Sequence, residues 1–204
     1  MSGPSPGYGE CMKRLLGLLP ALVAALLLAV GPGAPGAGAA PAPVQRSAPD
    51  RDQWIVDVRA AMAGSYGDVR ARVAAKDPAE RLAVNFDIDN TVIATYYDGG
   101  GAIPKMLKFT RFLHRHHVAV LFNTGRLGSL RASTRSQLER NGFVVDGLCL
   151  RGKGATLPFG KQRCRDRFID AGYTLIANVG NNDTDFVGDG YELAYRLPNY
   201  GVLG

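Results

Sequence analysis

The sequence has few cysteines, few histidines and no block of like charges. Its 204 residues include three cysteines and three histidines, and a net charge of +6 is spread along the chain. A spread excess of this kind does not favour nucleic acid as a partner, although it weakly suits an anionic substrate. The three histidines, His114, His116 and His117, cluster at the end of a predicted helix. Cations are favourable there, so a structural role is expected.

Long hydrophobic runs are also scarce, and the one that stands out lies near the N-terminus. Residues 13–30 combine a basic start with an apolar core, and small residues follow around Ala37 and Ala39. This pattern predicts a cleaved secretory signal peptide over residues 1–40, then a Pro- and Ala-rich flexible lead-in over residues 41–49. The apolar run Leu15–Val30 has 16 residues with Gly17 and Pro20 inside it, which is short for a span of about 20. We therefore expect a secreted, extracellular protein with no stable membrane span after cleavage.

Cleavage would leave two cysteines, Cys149 and Cys164, because Cys11 precedes the apolar core. In an oxidising compartment these two could form one disulfide. Two buried free thiols are the alternative, and the residues alone leave both open.

Residues 50–204 predict a single α/β domain. Two short helices are expected over residues 50–75, broken near Gly64 and Gly67. Apolar runs then alternate with helical patterns: strands at 82–86, 118–122, 143–150, 173–179 and 191–197, and helices at 104–116, 129–141 and 161–171. Strands that are apolar throughout indicate a doubly wound, mostly parallel sheet with helices on both faces.

Polar clusters follow three of these strands. Asp87 and Asp89 follow the first, Asn123–Arg126 follow the second, and Gly180–Asp185 follow the fourth. Ligands of such sheets bind at the carboxyl ends of the strands, so the clusters are expected to meet there. Adjacent carboxylates need a positive partner. Because no Cys or His cluster accompanies them, oxygen ligands of this kind favour Mg²⁺ over zinc.

The motifs resemble those of the haloacid-dehalogenase-like (HAD, Rossmannoid) hydrolases, in particular the secreted class B and class C acid phosphatases and their plant relatives. "FDIDNT" is similar to the family's DxDxT signature, and "VAVLFNTGR" to its second motif. "FGKQRCRDRF" and "IANVGNNDTDF" resemble the third and fourth motifs, and "LPNY" also recurs in this branch. The resemblance covers most of the chain after the predicted signal peptide.

The resemblance implies an acid phosphatase, a hydrolase of small or macromolecular phosphomonoesters. Asp87 would be the nucleophile that forms an aspartyl-phosphate, and Asp89 would protonate the leaving alcohol and then activate water. The phosphoryl oxygens would be held by Thr124, Gly125 and Lys161. The implied magnesium ligands are Asp87, Asp89 through its carbonyl, Asn181 and Asp185.

Several assignments stay open. The family's usual fourth-motif aspartate is Asn181 here, and either Asp183 or Asp185 could take its place. Lys153 is a rival to Lys161, although its glycine-flanked position indicates a loop. Arg126 could bind substrate or cap its helix. Because of Asn181, a secreted binding or storage protein that has lost turnover is the alternative function.

The spacing between motifs leaves no room for a sizeable cap domain. About 34 residues separate Asp89 from Thr124, and about 36 separate Thr124 from Lys161. We therefore expect an open site, covered at most by the N-terminal helices around Trp54 and Tyr66 or by a second subunit of a homo-oligomer. An open site favours broad substrate choice.

Overall fold

The computed structural model describes residues 47–204. The predicted signal peptide over residues 1–40, and the predicted lead-in up to residue 46, lie outside the described residues. Within residues 47–204, none of the helices has both the length and the apolar character that crossing a membrane requires.

A five-stranded parallel sheet forms the centre of the domain, with strand order β5-β4-β1-β6-β7. The strands are β1 (Arg81–Phe86), β2 (Ile93–Ala94), β3 (Gly101–Ala102), β4 (Ala119–Leu127), β5 (Gly147–Arg151), β6 (Tyr173–Gly180) and β7 (Leu193–Arg196). The helices are α1 (Arg51–Ala61), α2 (Ser65–Ala74), α3 (Thr95–Asp98), α4 (Pro104–Arg115), α5 (Arg131–Arg140) and α6 (Leu157–Asp170). Short 3₁₀ turns occupy Gly128–Leu130 and Asp183–Asp185. The predicted doubly wound α/β fold is confirmed.

Alternate residues of each central strand enter separate cores on the two faces of the sheet. In β1, Val84 and Phe86 face the larger core, whereas Ala83 faces the smaller one. The larger core includes Trp54 from α1 and Phe109 from α4. Burial on both faces explains why these strands read as continuous apolar runs.

Helix α6 covers the smaller core. Its Cys164 and Phe168 pack against Leu121 of β4 and Cys149 of β5. Cys149 and Cys164 are joined by a disulfide. The structure therefore decides the alternative that the sequence left open, and the bond ties α6 directly to the sheet.

Most predicted elements occur, with shifted ends. The break between the two N-terminal helices lies at Met62–Gly64, and Gly67 is inside α2. The prediction that β4 ends before the Asn-Thr-Gly-Arg motif is wrong, because the strand continues to Leu127. The reason is pairing with β5, in which Thr124 lies opposite Leu150. Residues 143–145 were predicted to begin β5, but the strand begins at Gly147.

The connection after β1 is small. The chain after Ile88 turns into β2, passes through the one-turn helix α3 and returns as β3, which pairs antiparallel with β2. No separate cap is formed by this hairpin, as the spacing predicts. Trp54 stacks on Tyr97 of α3 with ring centroids 4.6 Å apart, and Tyr66 packs edge-on against Phe109 at 5.2 Å. Both aromatic side chains therefore belong to the core.

Candidate active site

Asp87 lies at the floor of a cleft at the carboxyl edge of the sheet. Its backbone N–H donates to the Val179 carbonyl at 2.8 Å, which extends the β1–β6 ladder by one residue. Its carboxylate is buried, accepts a hydrogen bond from Thr91 Oγ1 at 3.1 Å and pairs with the Lys161 ammonium. The neighbouring ladder thus fixes the direction in which Asp87 leaves the strand.

Lys161 projects from the second turn of α6 into the same cleft and is 4% exposed. Its Nζ donates to the Asn123 carbonyl at 2.8 Å and lies 2.7 Å from Asp185 Oδ1. In return, Asn123 Nδ2 donates to the Lys161 carbonyl at 2.8 Å. Burial disfavours the ammonium, but Asp87 and Asp185 outweigh this effect and raise the pKa of Lys161.

One lysine is therefore shared by two buried carboxylates. The pKa of Asp87 is raised to about 6, and burial is the largest cause. The Lys161 ammonium lowers this pKa, but only partly offsets the rise, because the negative charge of Asp185 raises it further. Asp185 Oδ1 is also buried and has no hydrogen bond of good geometry. The floor of the cleft thus carries an excess of negative charge, which favours binding of a cation.

Asp89 occupies the wall of the cleft and is paired with Arg126. The guanidinium makes a bidentate contact through Nε at 2.9 Å and Nη2 at 2.7 Å, and Thr95 Oγ1 donates at 2.7 Å. Burial alone would raise the pKa of Asp89, but these hydrogen bonds hold that pKa below its ordinary value. Arg126 Nη1 also donates to Gln137 Oε1 of α5 at 2.8 Å. Arg126 therefore orients Asp89, a role different from both that the sequence suggested.

Thr124 and Gly125 form the side of the cleft contributed by β4. Thr124 is buried, and its Oγ1 accepts a hydrogen bond from the Arg126 N–H at 3.2 Å. The Gly125 carbonyl accepts from Arg151 Nε at 3.0 Å. These contacts fix the backbone of the Thr-Gly-Arg segment beside Asp87.

The loop after β6 supplies Asn181 and Asp185, both buried. Asn181 Oδ1 lies 3.3 Å from Thr91 Oγ1, so this hydroxyl is within reach of both Asp87 and Asn181. Asp185 Oδ2 accepts from the Asn182 N–H at 2.9 Å, which closes a capping box at the 3₁₀ turn. A Cβ on Gly180 would lie 2.4 Å from Asp185 Oδ2, so the fold over this strand end requires glycine.

Two buried polar side chains hold the Asp185 backbone. Its carbonyl accepts from Asn178 Nδ2 at 2.8 Å and from Arg165 Nη1 at 2.9 Å. Arg165 is fully buried, and its Nε donates to the Asp189 carbonyl at 2.8 Å. Burial lowers the pKa of Arg165, because these partners are mainly neutral carbonyls. The loop is thus anchored through its backbone, and Asp185 Oδ1 is left for Lys161 and the cleft.

The structure brings the predicted site residues together in one cleft of about 410 Å³. Its lining includes Asp87, Asp89, Thr124, Gly125, Lys161, Asn181 and Asp185. Lys153, the rival to Lys161 in the sequence, is exposed on the loop before α6. Asp183 faces solvent and pairs with Arg196 at 3.3 Å.

Four further contributors to the site were not predicted from the sequence. Thr91 belongs to the DxDxT motif, so the motif could have suggested it. Thr95 lies in the β2–β3 hairpin, which was not predicted. In the sequence, Arg165 looks like an ordinary polar residue on the exposed face of a helix. The fourth, the backbone carbonyl of Leu203, has no signature in the sequence.

The donor atoms suit a hard divalent cation. Besides Asp89, which Arg126 holds, the cleft offers the carboxylates of Asp87 and Asp185 and the amide oxygen of Asn181. Oxygen ligands of this type match magnesium. Within the part of the chain that the structure describes, no three His, Cys, Asp or Glu side chains form a metal-binding cluster. A metal would therefore depend on Asn181 and on a backbone carbonyl as well as on Asp87 and Asp185.

The sheet is parallel, and two acids follow its central strand β1. Thr124 and Gly125 lie within the neighbouring strand β4, and the buried Lys161 reaches the same cleft. This is the arrangement of a HAD-like hydrolase. The sequence model of the HAD superfamily, subfamily IIIB (Acid phosphatase), matches residues 98–203. The chain belongs to this family and is a phosphatase. The match begins after Asp87 and Asp89, so it does not bear on these two residues.

Solved structures agree in fold. The class C acid phosphatase from Bacillus anthracis is 15% identical with a TM-score of 0.59, over 74% of this chain and 79% of that one. The class C acid phosphatase from Bacillus anthracis with tungstate bound is 17% identical with a TM-score of 0.54, over 72% and 84%. At such identities the likeness shows the fold alone. No curated protein matches the sequence.

Proposed function

We propose that this phosphatase is a secreted, Mg²⁺-dependent phosphomonoester hydrolase that works through an aspartyl-phosphate on Asp87. The observation that carries the proposal is the position of Asp87 at the floor of the cleft, paired with Lys161 and flanked by Asp89. A buried carboxylate beside a fixed ammonium is well placed to attack an anionic group that the same ammonium binds.

In the first step, an Asp87 carboxylate oxygen attacks phosphorus. A new P–O bond forms as the P–O bond to the leaving alcohol breaks, and the departing oxygen takes a proton from Asp89. Phosphoryl oxygens are held by the Thr124 hydroxyl, the Gly125 N–H and the Lys161 ammonium. Arg126 opposes protonation of Asp89, but the negative charge of a bound phosphate raises the pKa of Asp89 again.

In the second step, the ionised Asp89 takes a proton from water. The water oxygen attacks phosphorus, the Asp87–phosphorus bond breaks, and inorganic phosphate leaves. Asp89 therefore ends the cycle protonated, as the next turnover requires.

The excess negative charge at the floor of the cleft is the reason to assign a magnesium ion. Held by Asp87, the Asp89 carbonyl, Asn181 and Asp185, Mg²⁺ would neutralise this charge and stabilise negative charge on the phosphoryl oxygens. The residues themselves bind and orient the phosphate, and Asp87 and Asp89 make and break the bonds.

Replacement of the nucleophile tests the mechanism. We expect Asp87→Asn to abolish hydrolysis of p-nitrophenyl phosphate while circular dichroism shows an intact fold. Wild type trapped with acid during turnover should carry one phosphoryl group by mass spectrometry, and Asp87→Asn should carry none. Hydrolysis by Asp87→Asn at the wild-type rate would refute covalent catalysis.

The metal assignment has a matched pair of variants in one loop. Asp185→Asn should weaken Mg²⁺ binding measured by calorimetry on protein freed of metal with EDTA. Asp183→Asn should leave it unchanged, because Asp183 is exposed and pairs with Arg196. Equal effects of the two substitutions would contradict the assignment.

The absence of a cap in the connection after β1 supports a broad choice of phosphomonoesters. Small phosphate esters and a phosphorylated protein should be hydrolysed with comparable kcat/KM, because the cleft opens directly to solvent. Strong selectivity for one small metabolite would count against this proposal.

Export is proposed from the predicted signal peptide, and the Cys149–Cys164 disulfide supports an oxidising compartment. Expression of the full chain in an exporting host should give an extracellular protein whose N-terminus begins near residue 41. An intact N-terminus inside the cell would contradict it.

The alternative, a binding or storage protein without turnover, depended on Asn181. Because an amide oxygen can still coordinate Mg²⁺, and the other proposed catalytic side chains share the cleft, we favour turnover.

A further inference from the structure

The backbone carbonyl of Leu203 accepts two side-chain hydrogen bonds at the edge of the active-site cleft. Asn181 Nδ2 donates at 2.8 Å and Asn90 Nδ2 donates at 2.9 Å. All three residues are buried, and the Leu203 side chain packs into the larger core. The segment near the C-terminus is thus joined to the ends of both β1 and β6.

This contact determines which end of the Asn181 amide faces Asp87. An amide has one donating end and one accepting end. Because Nδ2 is used by the Leu203 carbonyl, Oδ1 faces Thr91, whose hydroxyl also reaches Asp87. The oxygen that could bind a cation is therefore directed by a residue distant in sequence.

The segment that carries the carbonyl is itself held in a tight turn. The Leu203 N–H donates to the Asn199 carbonyl at 3.1 Å, and the Gly201 N–H donates to Asn199 Oδ1 at 3.0 Å. Val202 is exposed between these anchored residues. The Leu203 carbonyl is thus fixed relative to the core and not free to follow Asn181.

We propose that Leu203 is a positioning residue of the phosphatase, whose carbonyl orients Asn181 and makes an amide the functional side chain at position 181. A carboxylate there would place an oxygen against the Leu203 carbonyl with no proton between them, and such a buried contact is unfavourable. This inference rests on the proposed role of Asn181 as a ligand of Mg²⁺. It accounts for an amide, with one donating and one accepting end, at position 181.

The first test is Asn181→Asp, which supplies the usual carboxylate but removes the donor. We expect Mg²⁺ binding, measured by calorimetry, to weaken about 10-fold or more, as is typical when the orientation of a ligand is lost. Tighter binding with full activity would overturn the proposal, because orientation by Leu203 would then not matter.

The second test leaves Asn181 in place. Leu203→Ala should loosen the turn and weaken Mg²⁺ binding, again by about 10-fold, whereas Val202→Ala should not change it. A merely structural role predicts that Leu203→Ala lowers the melting temperature equally with and without Mg²⁺ and leaves the dissociation constant unchanged. That result would refute the proposal.

A readout without metal separates this inference from the proposed function. In metal-free protein, NMR should show the Asn181 side-chain amide protons protected from exchange, and Leu203→Ala but not Val202→Ala should expose them. If wild type binds no Mg²⁺ yet shows this protection and its loss, the proposed magnesium site fails and the orienting contact stands. Unprotected amide protons in wild type would refute the contact.

Discussion

The Lys161 ammonium lies 2.7 Å from Asp185 Oδ1 and also pairs with Asp87, so three buried charges meet in one cleft. Two of the three are negative. The charges balance only when a further cation or a proton enters the cleft.

Lys161→Met should destabilise the metal-free protein and abolish activity. Removal of one partner from a buried charge cluster typically costs about 3–5 kcal/mol. The loss in free energy of unfolding should be smaller at pH 5 than at pH 8. The pKa of Asp87 is raised to about 6, so at pH 5 the Asp87 carboxyl is protonated and carries no unpaired buried charge. Denaturant titration at both pH values measures this difference.

The control is Lys153→Met, since Lys153 is exposed before α6. It should leave both activity and stability close to wild type. Equal losses in the two variants would show that the charge cluster is not responsible.

Arg126→Gln should reduce stability more at neutral pH than in acid. Arg126 holds the pKa of Asp89 below its ordinary value, so the ion pair stabilises the fold above a pH of about 4 and ceases to do so as Asp89 is protonated. Because about a third of the Asp89 side chain is exposed, screening limits the difference to about 1 kcal/mol at pH 7.

Urea unfolding of wild type and Arg126→Gln at pH 7 and pH 3 measures the effect. Arg135→Gln is the matched control, because its pair with Glu139 is exposed on the same helix that Arg126 contacts. A difference between wild type and Arg126→Gln that grows on acidification would contradict the ion pair.

Gly180→Ala should displace Asp185, because the new methyl group would lie 2.4 Å from Asp185 Oδ2. Misplacement of a site group by about 1 Å can cost about 100-fold in rate, and we expect a loss of kcat/KM of that order. Gly67→Ala is the control, since a Cβ there meets nothing within 4 Å inside α2. Full activity in Gly180→Ala would show that Asp185 tolerates another position.

The parts of the fold that sequence could predict are those set by local patterns. Continuous apolar runs marked β1 and β4, and helical spacing of apolar residues marked α4. Because parallel strands end at one edge of the sheet, the polar residues that follow them, such as Asp87 and Asp185, could be expected to meet from the sequence alone.

The parts that could not be predicted depend on long-range backbone contacts. The extension of β4 through Gly125 requires β5 as a partner, and a two-residue strand such as β2 is too short to show a period. The orientation of Asn181 depends on a carbonyl 22 residues away, and any type of residue at that position would supply a carbonyl. The pairing of Arg126 with Asp89 likewise joins two segments that are distant in sequence.

Replacement of both cysteines should lower stability more than activity. The disulfide closes a segment with a sequence separation of 15, for which loop entropy predicts about 3 kcal/mol. Helix α6 also carries Lys161, but Phe168 holds the helix against the sheet independently of the disulfide. The Cys149→Ala, Cys164→Ala protein should therefore melt at a lower temperature yet retain most of its activity below that temperature.

A reductant provides the control. It should lower the melting temperature of wild type and leave that of the double variant unchanged. An unchanged wild-type melting temperature would mean that the disulfide does not stabilise the fold.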